Sequence, residues 1–157
     1  MVNTGDWSAV GTGTPWRGPI RIVQQLAATG VGTPTETFVG VLRGVFSTLN
    51  LINSNNVNAF GVGIDGNVGT NNWAVLANGA TTDTGVAGAN SAIIAELVEN
   101  PSLTWTVTLY DAVTLAVVYG PTAFPAQPAG DYNFVCYAQN SGSNPVEFSG
   151  VVVGPAF

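Results

Sequence analysis

The sequence predicts an all-β protein: an antiparallel β-sandwich of eight or nine strands carried behind an extended N-terminal arm. Three observations predict it. Short runs of β-branched and aromatic residues recur throughout the 157 residues, separated by clusters of Gly, Asn, Pro and Asp, which is the punctuation of a sandwich or barrel. In residues 103–110, Leu103, Trp105, Val107 and Leu109 fall on one face and Thr104, Thr106, Thr108 and Tyr110 on the other, the period-two pattern of a strand with one buried side. Finally, 46% of the residues are hydrophobic, and a chain of this length buries roughly 70% of the surface that it exposes unfolded. One domain with a substantial core is therefore expected, and disorder is not.

The elements follow in order. Residues 1–19 contain Gly5, Gly11, Gly13, Gly18, Pro15 and Pro19 without any hydrophobic period, which suits an extended arm better than a strand or helix. Residues 20–157 form the sandwich domain. The arm's Trp7 and Trp16 need an apolar home, either on their own domain or on a neighbour, where aromatic anchors dominate contact energies. With Arg17 and Arg21 they are the expected partner-binding residues. Strands are expected over 20–27, 37–49, 57–64, 72–77, 132–138 and 146–153. The 37–49 run is long and includes Gly40 and Gly44, so a bend or bulge is expected there.

Residues 90–99 read two ways. Ile93, Ile94, Leu97 and Val98 have helical spacing behind an Asn90 cap, with Pro101 as a stop. They also fit a strand ending in the Asn100-Pro101 turn, the reading that the neighbouring strands favour. Residues 103–110 and 113–119 form a hairpin about Asp111, which Gly120-Pro121 brings to an end.

Charge removes several functions. Arg17, Arg21 and Arg43 are the basic residues, against nine acidic ones, for a net charge of -6. Such a chain lacks the basic cluster that counterion release from nucleic acid requires, and anionic membranes are excluded for the same reason. Gly, Asn, Pro or Thr interrupts every apolar run well short of the roughly 20 residues of a membrane helix. The lone Cys136 has no internal disulfide partner and reads as a small buried hydrophobe. The start, MVNTGDWSAV, has no basic segment followed by an apolar stretch, so synthesis without a secretory signal is expected.

Chemistry is restricted further. The chain has no histidine and no lysine, so Ser-His-Asp triads, Cys-His pairs, histidine zinc sites and Schiff bases are unavailable. No enzyme, no cofactor and no metal centre are expected. The carboxylates Asp6, Glu36, Asp65, Asp83, Glu96, Glu99, Asp111, Asp131 and Glu147 remain. A glycosidase-type pair needs two of them at a fixed separation. Glu96 and Glu99 share a face on a helix and oppose one another on a strand, and solvated charges near a turn explain them.

The letters Gly61-Val-Gly63-Ile-Asp-Gly66 match a dinucleotide fingerprint, but a loop follows where the fingerprint needs a helix. Asp65, Asn67 and Asn71 resemble the start of a calcium loop, yet Leu76 stands where the bidentate Glu belongs, and an Asp/Asn/Gly turn explains the same letters. Trp73, Trp105, Tyr110, Tyr119, Tyr132 and Tyr137 could stack on sugars. Both tryptophans, however, fall in the apolar phase of their strands and read as core.

Strands with few charges leave their edges unguarded, which favours closure or symmetric copies; a homo-oligomer, a trimer above all, is expected. The segment Pro128-Ala-Gly130-Asp131-Tyr132-Asn-Phe134-Val-Cys136-Tyr-Ala-Gln-Asn140 resembles the late strand of immunoglobulin-like β-sandwiches of bacteria and phages. The resemblance implies an immunoglobulin-like or jelly-roll sandwich without catalytic residues. Histidine-free, rich in Gly, Asn, Thr and Val, and fitted with an arm, the chain also resembles virion components, especially the capsid decoration or cement proteins of bacteriophages. The implied role is a structural protein of a virion, bound to a capsid or other protein lattice through arm and strand-edge contacts. The alternatives are a carbohydrate-binding or adhesin module and an extracellular filament subunit.

Overall fold

A computed structural model describes residues 5–10, 20–28, 35–43, 56–65, 71–102, 104–126, 132–140 and 146–155. Among these, eleven strands form two antiparallel sheets: β1 (Gly5–Val10), β2 (Ile20–Ala28), β3 (Thr35–Arg43), β4 (Ala59–Asp65), β5 (Asn72–Ala77), β6 (Ala80–Ala87), β7 (Ser91–Glu99), β8 (Trp105–Asp111), β9 (Val117–Phe124), β10 (Tyr132–Asn140) and β11 (Val146–Pro155). Sheet A has the order β1-β10-β3-β4-β5-β6 and sheet B the order β11-β2-β7-β8-β9. The all-β antiparallel sandwich is thus present, and nine of its strands are the segments read from the sequence. The other two are β1, within the expected arm and paired with β10, and β6, paired with β5.

Alternation builds the core between the sheets. Val39, Val41, Phe60, Val62, Trp73 and Val75 point inward from sheet A, and Ile22, Leu26, Ile93, Leu97, Trp105, Val107 and Leu109 meet them from sheet B. Phe60 bridges the layers, its ring 4.5 Å from that of Trp105 and 6.1 Å from that of Phe124. Trp73 Nε1 donates across the layers to Ser91 Oγ at 2.9 Å. At full burial, large aromatic side chains of this kind contribute about 1.5–3 kcal/mol each. Segment 91–99 is a strand, because the alternate residues Ile93, Ala95 and Leu97 must all face this core.

Part of sheet A is buried on its other face as well. Phe38, Leu42, Ala59, Leu76 and Val135 form a second cluster there, all but inaccessible. Gly40 and Gly61 are cross-strand partners in this sheet. A Cβ on Gly40 would strike the Phe60 carbonyl and come within 2.6 Å of Gly61 Cα, and one on Gly61 would meet the Phe38 ring at 2.6 Å. Gly40 therefore provides room for a close approach. The expected bend or bulge does not occur there, since the register of β3 runs unbroken against β4 and β10; Gly44 lies outside the described residues.

Two boundaries differ from the sequence reading. Asn78 and Gly79 adopt φ of 50° and 75°, the left-handed pair of a tight hairpin turn, and they launch β6. Further on, residues 112–116 form a loop instead of a strand, and β9 runs through Gly120-Pro121 to Phe124. An edge strand accommodates proline because one side of it has no ladder to complete.

Candidate interaction surface

The face of sheet B that points away from the core is organised by strand register. Val152, Val23, Glu96 and Thr108 lie in one row across β11, β2, β7 and β8; Gln25, Ile94, Tyr110 and Val117 form the next row across β2, β7, β8 and β9. Arg21 and Val98 pair beyond the first row. Aliphatic side chains thus occupy positions where a solvated sheet face usually carries polar groups.

Glu96 is the centre of this face. Arg21 reaches it from a diagonal position on β2, with Nε 2.6 Å and an Nη 2.5 Å from Oε1. From β8, Tyr110 donates its hydroxyl to Oε2 at 2.8 Å. Each carboxylate oxygen is therefore engaged, and the single positive and single negative charge cancel. Hydrogen bonding to Glu96, then burial and the carboxylate's charge, raise the Tyr110 phenol above its ordinary 10.0. With side chains 52% and 17% exposed, the ion pair contributes on the order of 0–1 kcal/mol. Its larger effect is that the two charges satisfy one another, so that burying this pair costs less than burying either charge alone.

The β8–β9 hairpin lies at one edge of sheet B. Asp111 Oδ1 accepts from Val113 N at 3.0 Å, Thr114 N at 2.7 Å and Thr114 Oγ1 at 2.9 Å. The Leu115 amide closes onto the Asp111 carbonyl and the Asp111 amide onto the Ala116 carbonyl, both at 2.9 Å. These bonds, the Thr114 backbone first, hold the Asp111 carboxyl below its usual value. Held in this way, Val113 is 87% and Leu115 63% exposed, and Val117 and Val118 are exposed with them.

Of the expected partner-binding residues, the structure brings one into this surface: Arg21, at the start of β2. Trp7 lies in β1, its backbone opposite Ala138 of β10; Trp16 and Arg17 lie outside the described residues. Glu96 and Glu99 point to opposite sides of β7, Glu96 half-buried on the outer face and Glu99 buried on the inner one. Gly61 and Gly63 sit within β4, paired with Gly40 and Phe38. The remainder of the calcium-like loop, 66–70, lies outside the described residues, and Leu76 is buried in the second cluster. Trp73 and Trp105 are buried in the core, which withdraws two of the aromatics considered for sugar stacking. Cys136 is half-buried, and burial pushes its thiol up to about 12.

The sequence reading missed Glu96 as the shared partner of Arg21 and Tyr110. Alternation put Tyr110 on the threonine face of its strand, but the register that joins the three residues was not encoded locally.

No family model and no curated protein matches the chain. Among solved structures, it is similar to Trypanosoma rangeli sialidase, with a TM-score of 0.52 and 13% identity over 87% of this chain and 20% of that one. A second structure of that sialidase, in complex with 2,3-difluoro-KDN, gives a TM-score of 0.53 and 14% identity over 94% of this chain and 24% of the other. The alginate lyase from Corynebacterium sp. follows at a TM-score of 0.48 and 13% identity. The chain spans a fifth to a quarter of the sialidase chains that it matches, and at this identity the likeness is one of fold.

Proposed function

We propose that this protein is a non-enzymatic structural subunit that associates with copies of itself and with a protein lattice, in the manner of a capsid decoration or cement protein. The observation that carries the reading is the outer face of sheet B: aliphatic side chains surround an ion pair whose charges satisfy one another, on a chain without imidazole or amine side chains. A sheet face of this kind suits burial against another protein surface, and the chain has no imidazole to carry protons near neutral pH. The virion as its location rests on the character of the sequence.

Carbohydrate binding is the competing use of such a fold. A glycan panel probed with the full chain separates the two, and no tight binding is expected. A tight glycan complex of a monomeric chain overturns the proposal. Removing residues 1–19 is an unsuitable test of the arm, because it also removes β1 from sheet A; substitution of Trp16 or Arg17 in the full chain leaves that strand in place.

A further inference from the structure

We propose that Asn78 is a site of spontaneous covalent modification, at which loss of ammonia converts the asparagine to aspartate or isoaspartate at a rate set by opening of the β5–β6 hairpin. The site is independent of the structural role proposed above.

Asn78-Gly79 is the only Asn-Gly pair in the 157 residues. It forms the turn between β5 and β6, with Asn78 exposed and the turn closed by the pairing of Ala77 with Ala80. The backbone nitrogen of Gly79 is the nucleophile. It forms a bond to Cγ of Asn78, the side-chain nitrogen leaves as ammonia, and a five-membered succinimide results. Water then opens the ring: addition at the former side-chain carbonyl gives aspartate, and addition at the backbone carbonyl gives isoaspartate. One water is consumed and one ammonia released, so neither an oxidant nor a second protein group is required. Glycine hinders the attacking nitrogen least, since it has no Cβ. Asn71 and Asn90 also have positive φ, but Asn72 and Ser91 follow them, and those side chains crowd the corresponding nitrogen.

The folded turn withholds this chemistry. With φ of 50° and 75°, the two residues hold the tight hairpin conformation, and the attack requires rotation about the Asn78 Cα–C and Cα–Cβ bonds that the closed ladder resists. Opening therefore precedes reaction, and the hold on β6 sets how often it occurs. Packing provides little of that hold. Strand β6 is an edge of sheet A and none of its residues is fully buried, while its ladder to β5 shifts register between Asn72 and Ala74. Side chains fasten it instead: Thr84 Oγ1 donates to the Trp73 carbonyl, and Asn72 Nδ2 donates to the two Asp83 carboxylate oxygens at 3.0 and 3.2 Å.

The two products differ in consequence. Aspartate followed by glycine suits the same turn and adds one negative charge to a chain already at -6. Isoaspartate routes the backbone through the former side chain. That lengthens a two-residue loop whose length fixes the register of the hairpin, and so loosens β6 from the sheet.

The test ages the full chain in mildly alkaline buffer, native and in urea, and follows position 78 by peptide mapping with mass spectrometry that separates aspartate from isoaspartate. Both products are expected to accumulate at position 78 in the native chain, roughly tenfold or more slower than in urea. Thr84→Val is expected to raise the native rate roughly fivefold, the equivalent of one lost hydrogen bond, and to leave the rate in urea unchanged. If Thr84→Val fails to fold, Asn72→Ala, which removes the contact to Asp83, is expected to act in the same direction. Asn78→Gly keeps the turn and is expected to release no ammonia from this position. A native chain in which position 78 stays asparagine while the urea-treated chain is converted overturns the site. Equal rates in both, or a native rate that the loosening variant leaves unchanged, overturns the control by hairpin opening.

Discussion

Tyr110 and Glu96 meet across adjacent strands, the phenol hydroxyl donating to Oε2 at 2.8 Å while Arg21 occupies Oε1 from the other side. One carboxylate therefore ties together β2, β7 and β8 on the face of the sandwich that is not packed against the other sheet. The consequences of this arrangement, and of the core beneath it, can be measured.

The first concerns titration. Because the anionic carboxylate accepts the phenol proton, Tyr110 holds that proton to higher pH than 10.0. A raised native pKa stabilises the fold below the unfolded value and loses that contribution as pH climbs through the native one. An ultraviolet difference titration between wild type and Tyr110→Phe is expected to show a phenol ionising above pH 10, and Glu96→Gln to return it toward its ordinary value. A Tyr110 titration unaffected by Glu96→Gln would show that the hydrogen bond does not form in solution.

A second prediction separates two buried indoles. Trp73 Nε1 has Ser91 Oγ as its acceptor, whereas buried Trp105 Nε1 has no hydrogen-bond partner among the described residues. Replacing either by Phe leaves a cavity, but Trp73→Phe also loses a hydrogen bond worth about 1 kcal/mol, while Trp105→Phe removes an unpaired donor whose burial costs about 1–3 kcal/mol. Urea unfolding should therefore find Trp73→Phe the less stable of the two by about 2 kcal/mol. Equal losses would mean that Trp105 finds a partner in solution.

The hairpin tip supplies the third. Asp111 organises it as an anion, and its lowered pKa means that this stabilisation is present above the unfolded value near 3.8 and is lost as pH falls through the native value. Protection of the Val113 and Thr114 amides, taken relative to the intrinsic exchange rate at each pH, is expected to fall on acidification through that window and, at neutral pH, in Asp111→Ala. Protection that persists in Asp111→Ala would place the rigidity of the tip elsewhere.

The strands were legible because a period of two survives in Ile93, Ala95 and Leu97 or in Trp105, Val107 and Leu109 whatever the partner strand. Residues 80–87 were not read as a strand, since ATTDTGVA has almost no apolar phase; the signal that marked them was Asn78-Gly79, a turn pair that predicts a returning strand. Alternation also misled. Val113 and Leu115 continue the period of β8 into a loop, because exposed aliphatics on a tip look the same in sequence as buried ones on a strand. Arg21 stood out as one of three basic residues. Its pairing with Glu96 did not, since the two lie 75 positions apart and meet only through the pairing of β2 with β7. Register of that kind is set by the assembled core, not by either segment.

In the proposed role the protein works by associating through the outer face of sheet B. Native mass spectrometry of the full chain over a concentration series, alone and with a glycan mixture, tests it most directly. The predicted result is an oligomer whose population grows with protein concentration and ignores the glycans. A single monomeric species at every concentration, shifted in mass only by a bound glycan, would contradict it.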